Sequence, residues 1–271
     1  MTYKRVLTIQ DISCVGQCSL TVALPIISVC GVETCILPSA VLSTHTGGFS
    51  GYTFRDLTDD IPKIAEHWKK ENISFDAVYT GYLGSIKQID YVLDIVQSSN
   101  AISIVDPVMG DRGKLYAGFD TDFVIAMKKL CAKADIIIPN ITEACFMTGI
   151  DYKEDYDSTY IDLLLTELRK FCNGTIVLTG VSYNDLSTGV VVLQEDTLTY
   201  YEHKKLTGGC HGTGDIYASA FTGALLNGKI ITEAAKIAAN FTLMCIETTD
   251  SKHWYGAQFE KVLPELSNML K

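Results

Sequence analysis

The stretch Ile102-Ser103-Ile104-Val105 is a short apolar run, and Asp106-Pro107-Val108-Met109-Gly110 follows it directly. This pattern is typical of a buried strand that ends in a polar turn. Similar apolar runs occur at Val6–Ile9, Phe75–Thr80 and Thr175–Leu178, and segments with helical spacing separate them. Buried strands that alternate with helices predict a mainly parallel sheet with helices on both faces.

From Gly189 onwards the pattern changes. Val190–Leu193 and Leu198–Tyr201 flank four polar residues and predict a hairpin. Three helical segments follow, at Asp215–Asn227, Thr232–Thr248 and Phe259–Leu270. The prediction is therefore an α/β fold of three layers with a C-terminal hairpin and helices. No linker, repeat or low-complexity segment interrupts the chain, so residues 1–271 are predicted to form a single domain.

The composition excludes several classes of protein. With 271 residues, 47% of them hydrophobic, the chain can bury a large core, which disordered chains cannot. A net charge of −10 argues against binding to nucleic acid or to an anionic membrane surface. The nine cysteines lack zinc-site spacing and fit reduced thiols, and no apolar run reaches the ~18 residues of a membrane span. Because no secretion signal is evident at the N-terminus, we expect a cytoplasmic protein.

Polar or glycine-containing runs follow several of the predicted strands. In a parallel α/β sheet, ligands bind in the crevice beyond the carboxyl ends of the strands. The runs in question are Gln10-Asp11, Gly81–Ser85, Asp106–Gly110 and Pro139-Asn140. We therefore expect these four runs to converge at one edge of the sheet and to form a binding site there.

The run Gly212-Thr213-Gly214-Asp215 leads into a predicted helix. Glycines let the backbone approach a ligand closely, and the unpaired N–H groups of a helix N-terminus favour phosphate. A carboxylate at this place can take a proton from an attacking hydroxyl while the amides stabilise negative charge. The alternative is that Asp215 only caps the helix. The chain contains no Walker A motif, so a nucleotide would bind in another way.

Two further acidic positions allow both a structural and a functional interpretation. Asp106 follows a buried strand, where it either closes a turn with Pro107 or lies near phosphates and Mg²⁺. In Asn140-Ile141-Thr142-Glu143, the spacing predicts a capping box at the start of a helix. The functional interpretation is that Asn140 and Glu143 bind water molecules coordinated to Mg²⁺.

The segment Ser43–Tyr52 is rich in glycine, serine and threonine and carries two aromatic residues. Such a composition is typical of a loop that closes over a site and excludes water. An ordinary surface loop would have the same composition. Both interpretations therefore remain open for this segment, which we call the flap.

The order of the motifs is more specific than any one of them. Gln10-Asp11, His45-Thr46, Gly81–Ser85, Asp106–Gly110, Pro139–Glu143 and Gly212–Asp215 follow one another along the chain. This arrangement, from about Val6 to Thr248, closely resembles the pyridoxal kinase family of the ribokinase-like superfamily. The resemblance implies a mainly parallel ribokinase-like α/β domain, usually a homodimer, that uses ATP, Mg²⁺ and often K⁺ as an activating ion.

The resemblance also implies roles for individual residues. Asp215 matches the catalytic base that deprotonates a hydroxymethyl group, and Gly212, Thr213 and Gly214 match the anion hole. The remaining matches are with nucleotide and Mg²⁺ positions (Asp106, Asn140, Glu143), with nucleotide-contacting positions (Tyr116, Thr179) and with substrate-binding positions (Asp11, Thr46, Tyr82). The implied reaction is transfer of the γ-phosphoryl group of ATP to the 5′-hydroxymethyl group of pyridoxal, pyridoxamine or pyridoxine.

Asp11 departs from the family pattern, because many pyridoxal kinases have serine at this place. An ionised carboxylate only accepts hydrogen bonds, so it favours a protonated ring nitrogen or another donor on the substrate. Related kinases of hydroxymethylpyrimidine or of sugars often carry aspartate here, which makes those acceptors the alternative. In contrast, Asp215 stands where kinases of hydroxymethylpyrimidine phosphate commonly carry cysteine. A third hypothesis is a non-catalytic ligand-binding protein on a kinase fold.

Overall fold

The computed structural model describes residues 3–206 and 210–271. Its strands are β1 (Arg5–Ser13), β2 (Glu33–Leu42), β3 (Phe54–Asp56), β4 (Ala77–Thr80), β5 (Ile102–Val105), β6 (Gly110–Asp111), β7 (Lys114–Leu115), β8 (Ile136–Ile137), β9 (Thr175–Val181), β10 (Ser187–Gln194) and β11 (Thr197–Lys204). Its α-helices are α1 (Leu20–Val29), α2 (Ile61–Lys70), α3 (Ile86–Ser98), α4 (Thr121–Cys131), α5 (Ile141–Thr148), α6 (Ser158–Arg169), α7 (Thr213–Leu226), α8 (Ile231–Thr248) and α9 (Leu263–Met269). A 3₁₀ turn, Phe259–Val262, precedes α9.

Nine of the described strands form one sheet, in the order β11-β10-β9-β8-β5-β4-β1-β2-β3. The six central strands, from β9 to β2, pair in parallel. The C-terminal hairpin β10–β11 and the short edge strand β3 are antiparallel. The predicted mainly parallel sheet with a C-terminal hairpin is thus confirmed. Strands β6 and β7 form a separate small hairpin.

Helices cover both faces of the sheet, as the alternating sequence pattern predicts. Neighbouring strand residues point to opposite faces, so Val6 and Val190 pack with α1, α7 and α8, whereas Leu7 and Val191 pack with α3, α4 and α6. Each face has its own apolar core. Because helices bury both faces of the sheet, the sequences of the strands are continuous apolar runs and do not alternate between apolar and polar residues.

Several elements of the structure differ from the sequence prediction. The predicted helix Phe259–Leu270 is a 3₁₀ turn followed by α9, because Pro264 at the start of α9 favours a new helix N-terminus. Helix α6 is absent from the sequence prediction, although it buries five residues beside the sheet. The run Asp135–Ile138, whose sequence also predicts a strand, forms only β8, which has two residues. None of these differences changes the order of the layers.

The carboxyl ends of the central strands meet at one edge, as expected for a parallel sheet. Backbone bonds fix the register there: Gly81 N–H donates to Ile9 O at 3.1 Å, and Asp106 N–H donates to Thr80 O at 3.0 Å. Strand β1 is where the chain reverses direction across the sheet, with β2 on one side and β4 on the other. A crevice at such a reversal is the usual ligand site of open α/β sheets.

Across residues 3–206 and 210–271, no helix is both long enough and apolar enough to cross a membrane.

Candidate active site

Asp215 lies in the first turn of α7, at the strand-end edge of the sheet. The residue before the helix, Gly212, has φ 77°, and a side chain there would collide with the carbonyl oxygen of Gln17. Only glycine fits both this conformation and this close approach. The backbone therefore enters α7 with the N–H groups of Thr213, Gly214 and Asp215 at the open helix end. Gly208 and Gly209, which shortly precede this run in the sequence, lie outside the described residues.

The Asp215 carboxyl is buried, with 9% of the residue exposed, and its Oδ1 has no hydrogen-bond partner among the described residues. Burial is the main cause that raises its pKa to about 7; the negative charge of Asp11 acts in the same direction, and the backbone N–H of Ser19 opposes both. A carboxylate that titrates near neutral pH and has a free oxygen is suited to accept a proton.

Asp11 lies in β1 and is also buried, with 4% exposed. The Ser13 hydroxyl donates to its Oδ2 at 2.9 Å. Burial raises the pKa of Asp11, while the hydroxyls of Ser19 and Ser13 favour its charged form. The Asp11 charge also contributes, after burial, to raising the pKa of Tyr82 to about 12. The structure thus brings Asp11, Tyr82 and Asp215 together, as the sequence predicts.

The loop from Asp106 to Gly110 has an unusual backbone. Val108 has φ 39°, a conformation that β-branched residues rarely adopt. Two contacts from another part of the chain hold the loop: Met109 N–H donates to Glu143 Oε1 at 2.9 Å, and Asn140 Nδ2 donates to Gly110 O at 2.9 Å. Strained backbone of this kind is concentrated at functional sites, where surrounding contacts maintain it.

Asn140 and Glu143 form the capping box that their spacing predicts. Glu143 N–H donates to Asn140 Oδ1 at 3.0 Å, and Asn140 N–H donates to Glu143 Oε2 at 2.9 Å. Together with the bond from Met109, both oxygens of Glu143 accept a backbone N–H. Burial nevertheless raises the pKa of Glu143 to about 7. The structural interpretation of these two residues is confirmed, and Glu143 additionally holds the strained loop.

Asp106 is a buried acidic residue on this side whose oxygens remain available. It is buried, with 7% exposed, and its one hydrogen bond in the described chain is a long one, 3.4 Å, from Val108 N–H. Burial raises its pKa, and the charges of Glu143 and Asp215 raise it further. A buried carboxyl group whose pKa is raised by neighbouring negative charges favours a bound cation, which would offset those charges.

The donor set fits Mg²⁺. Within the described residues no three His, Cys, Asp or Glu side chains form a complete metal cage. Mg²⁺ does not need one, because it keeps several waters and takes one or two carboxylates together with phosphate oxygens. Asp106 offers such a carboxylate. Glu143, whose oxygens already accept N–H groups, fits the outer position that binds a water coordinated to the metal.

The other two predicted nucleotide positions lie around this pair. Thr179, in β9, donates its N–H to Pro139 O at 2.9 Å, directly beside Asn140. Tyr116 follows the β6–β7 hairpin, is 41% exposed, and donates its N–H to Met109 O at 2.9 Å. Burial of its phenol raises the pKa of Tyr116, with the charge of Glu143 as the next cause. Tyr116 therefore contacts the Asp106–Gly110 loop directly, whereas Thr179 lies beside Asn140, which contacts the loop.

The flap lies on the opposite side, next to the start of α7. Thr46 is exposed on it, whereas the neighbouring His45 is 5% exposed. The His45 ring lies 5.1 Å from the ring of His211, which precedes Gly212. His45 also contacts Tyr255, a residue that sequence analysis did not select: its Nε2 lies 2.7 Å from Tyr255 O. No sequence signal indicates this partner, because the contact is with a backbone oxygen 210 residues away.

Residues 27–258 of the chain match the phosphomethylpyrimidine kinase family. The chain belongs to that family. A protein of Bacteroides thetaiotaomicron described as a candidate phosphomethylpyrimidine kinase, crystallised with pyridoxal, is 37% identical, with a TM-score of 0.91 and coverage of 98% of this chain and 96% of that one. The pyridoxal kinase of Lactobacillus plantarum is 30% identical, with a TM-score of 0.92 and coverage of 98% and 97%.

A more distant structure shows the same fold. The pyridoxal kinase of Staphylococcus aureus, crystallised with AMP-PCP and pyridoxal, is 21% identical with a TM-score of 0.80, and the match covers 95% of this chain and 93% of that one. All three relatives confirm the ribokinase-like α/β fold, and the L. plantarum enzyme, at 30% identity, confirms the resemblance to pyridoxal kinases. Membership in the family also confirms that the chain is a kinase.

Proposed function

We propose that this kinase transfers the γ-phosphoryl group of ATP to the 5′-hydroxymethyl group of pyridoxal, or of pyridoxamine or pyridoxine, in vitamin B6 salvage. The observation that carries the proposal is Asp215, in the first turn of α7: its carboxyl is buried, its Oδ1 has no partner among the described residues, and burial raises its pKa to about 7. The pyridoxal found in the B. thetaiotaomicron relative and the name of the L. plantarum relative support the choice of acceptor.

In the proposed reaction, Asp215 removes the proton from the hydroxymethyl group. The alcohol oxygen then forms a bond to the γ-phosphorus, the bond to the bridging oxygen breaks, and ADP leaves with that electron pair. The N–H groups of Gly212, Thr213 and Gly214 form the anion hole that stabilises the charge on the transferred group. Catalysis by these residues is mainly positioning and electrostatic stabilisation.

Asp11 is proposed to select the acceptor. Its carboxylate is buried, accepts from Ser13 Oγ at 2.9 Å, and has its charged form favoured by two hydroxyls. A buried carboxylate of this kind favours a partner that donates a hydrogen bond, such as a protonated pyridine nitrogen. Tyr82 and Thr46 are proposed to complete the acceptor site, with Tyr82 next to Asp11 and Thr46 on the flap.

The nucleotide is proposed to lie over the Asp106–Gly110 loop, with Asn140, Thr179 and Tyr116 around it. Asp106 and Glu143 would hold Mg²⁺, Asp106 directly and Glu143 through water. When bound, the metal supplies positive charge that offsets the phosphate oxygens. K⁺ is proposed as an activating ion on the basis of the family resemblance. The AMP-PCP in the S. aureus relative supports the nucleotide assignment for this fold.

Hydroxymethylpyrimidine is the second candidate acceptor. Two observations favour it: the aspartate at position 11, and the family match itself, which is to phosphomethylpyrimidine kinases. A pyrimidine with an exocyclic amine also presents donors to a carboxylate. The chemistry at Asp215 would be unchanged, because only the ring bound beside Asp11 differs.

An activity assay with a panel of acceptor substrates distinguishes these two candidates. ADP release is measured with pyridoxal, pyridoxamine, pyridoxine, hydroxymethylpyrimidine and ribose, and mass spectrometry identifies the phosphorylated product. We expect the highest kcat/KM with a B6 form, and we expect Asp215→Ala to lower turnover strongly while nucleotide binding stays nearly intact. Turnover of hydroxymethylpyrimidine alone would overturn the B6 assignment. Thermal stabilisation by B6 forms without any ADP release would instead support a non-catalytic binding protein.

We also propose that residues 1–271 act as a single domain, that the protein is a cytoplasmic homodimer, and that it binds no nucleic acid. Within the described residues, one continuous sheet runs from β3 to β11, which supports the single domain. The net charge of −10 supports the absence of a nucleic-acid surface. Analytical ultracentrifugation would measure the oligomeric state.

A further inference from the structure

Backbone hydrogen bonds hold the flap only at its ends in the described part of the chain. Ser43 N–H donates to Thr53 O at 3.2 Å, and His45 N–H donates to Val15 O at 3.3 Å. Further along, Gly47 N–H donates to the ring of the flap's own His45. The middle of the flap therefore depends on side-chain packing for its position.

His45 has both ring nitrogens engaged. Gly47 N–H donates to Nδ1 at 3.1 Å, so Nδ1 is the unprotonated nitrogen. Nε2 lies 2.7 Å from Tyr255 O, which can only accept, so Nε2 carries the proton. Because both nitrogens are used, the ring has no hydrogen-bonding group left for the substrate that receives the phosphoryl group. Its role is to fix the start of the flap against the segment 253–256.

Trp254 covers the next part of the flap. Its ring lies 4.6 Å from the ring of Phe49, and a Cβ placed on Gly48 would come within 2.8 Å of its Cζ3. Gly48 has φ 85°, so glycine is required both for the conformation and for this close contact. Trp254 is 50% exposed, so its other side faces solvent. It therefore packs on the flap from outside.

The segment that carries Trp254 is itself anchored. His253 N–H donates to Asp250 O at 2.8 Å, and the His253 ring contacts Gly256 O at 2.8 Å. Gly256 packs against Gln17, whose side chain donates to Glu260 at 2.7 Å. Segment 253–256 is thus a fixed support, and the flap rests on it.

We propose that Trp254 is a positioning residue for the acceptor site, which it serves by holding the flap through Phe49 and Gly48 while the Tyr255 carbonyl fixes His45. The kinetic effect expected from this inference rests on the proposed function, because it is measured with the proposed acceptor. The flap carries Thr46, a proposed acceptor contact, and His45 lies beside His211 at the anion hole. A loosened flap therefore weakens binding of the acceptor and leaves the nucleotide side, around Asp106, unchanged.

The kinetic test compares Trp254→Ala with Trp254→Phe and with Trp68→Ala. Trp68 is the other tryptophan of the chain and packs on Phe75 at 5.5 Å, away from the flap, so it is a matched control for loss of an aromatic pair. Loss of such a pair predicts a rise of about three- to tenfold in the KM for pyridoxal in Trp254→Ala. The KM for ATP and kcat should stay within about twofold, and Trp254→Phe should restore most of the affinity.

A second measurement does not depend on the acceptor. Chymotrypsin cleaves after aromatic residues, and Phe49 and Tyr52 lie in the flap. We expect Trp254→Ala to speed cleavage after these residues severalfold under native conditions, while Trp68→Ala does not, because cleavage reports local opening. Mass spectrometry of the fragments locates the cut.

The outcomes distinguish this inference from the proposed function. If the parent protein phosphorylates no B6 form, the proposed function fails, and the cleavage rates still decide whether Trp254 holds the flap. If the parent is active and Trp254→Ala has the parent's KM for pyridoxal, the positioning role is overturned. Equal cleavage of the flap in the parent and in Trp254→Ala would overturn it as well.

Discussion

Glu143 and Asp215 are two buried carboxyl groups on either side of one site, and burial raises the pKa of each to about 7. Their surroundings nevertheless differ. Both oxygens of Glu143 accept backbone N–H groups, from Met109 and Asn140. Oδ1 of Asp215 has no partner in the described chain. A raised pKa therefore does not identify a base by itself, and the available oxygen is what distinguishes Asp215 from Glu143.

The contrast extends to the loops around each residue. On the Glu143 side, side-chain bonds hold the strained loop Asp106–Gly110 in one conformation. On the Asp215 side, packing and glycine turns such as Gly212 bring the flap and the start of α7 together. We infer that hydrogen bonds from side chains fix the nucleotide side, whereas side-chain packing positions the acceptor side.

The sharpest test of the contrast exchanges a carboxyl for an amide at both positions. Asp215→Asn removes the proposed base, and loss of general-base catalysis predicts a fall in kcat of about 10²–10⁴-fold. Glu143→Gln should lower kcat much less. Steady-state kinetics at saturating ATP measure both values. Comparable losses of kcat in the two variants would remove the distinction between base and scaffold.

The second prediction concerns stability and pH. The folded protein holds the Asp215 proton up to about pH 7, whereas an unfolded chain releases it near the ordinary value of 3.8. Between these values the unfolded state binds fewer protons, so this group makes the protein less stable as pH rises. The Asp215→Asn variant has no titrating side chain at this position. Relative to the parent, its free energy of unfolding should therefore rise by on the order of 3 kcal/mol between about pH 4 and about pH 7.

Urea denaturation of parent and variant at several pH values measures this difference. The asparagine of the Asp215→Asn variant adds a constant cost for its own buried amide, so the trend with pH is the diagnostic quantity and the absolute value is not. Asp94→Asn, on an exposed position of α3, is the matched control for the exchange of a carboxyl for an amide. A difference for Asp215→Asn that does not change with pH would mean that Asp215 is not buried as a carboxyl in solution.

Sequence rules located much of this site because they are local. A polar residue after a buried strand selected Asp106, and a glycine turn into a helix selected Asp215. The spacing of Asn140 and Glu143 correctly predicted a capping box. Register rules for parallel sheets then explain why these runs meet at one edge.

What the sequence could not supply are contacts between distant segments. Glu143 also holds Met109, 34 residues earlier, and that depends on how β5 and β8 are aligned. The partner of His45 is the backbone oxygen of Tyr255, and every residue type has such an oxygen, so no pattern marks it. The same holds for Trp254, whose spacing in the chain says nothing about Phe49.

The third prediction is the effect of Glu143→Gln on stability. A glutamine has one acceptor oxygen where glutamate has two, so either Met109 N–H or Asn140 N–H loses its partner. A buried unpaired N–H predicts a loss of about 1–3 kcal/mol in the free energy of unfolding. Glu247→Gln, exposed on α8, is the control and should cost nothing measurable. An unchanged stability together with a markedly weaker affinity for Mg²⁺ would assign Glu143 to the metal instead of the loop.

The smallest effect is expected at Val108. Its φ of 39° stores backbone strain, and Val108→Gly relieves it at the cost of greater freedom in the unfolded chain. The relief of strain in the folded state and the greater freedom of the unfolded chain act in opposite directions. We therefore expect a gain of at most about 1 kcal/mol in the free energy of unfolding, measured by urea denaturation. Asn72→Gly, at φ 56° on an exposed turn outside the site, should gain less, because asparagine tolerates this conformation. If the strain shapes the nucleotide side, the KM for ATP should rise in Val108→Gly alone; an unchanged KM would mean that the bonds from Glu143 and Asn140 fix the loop without it.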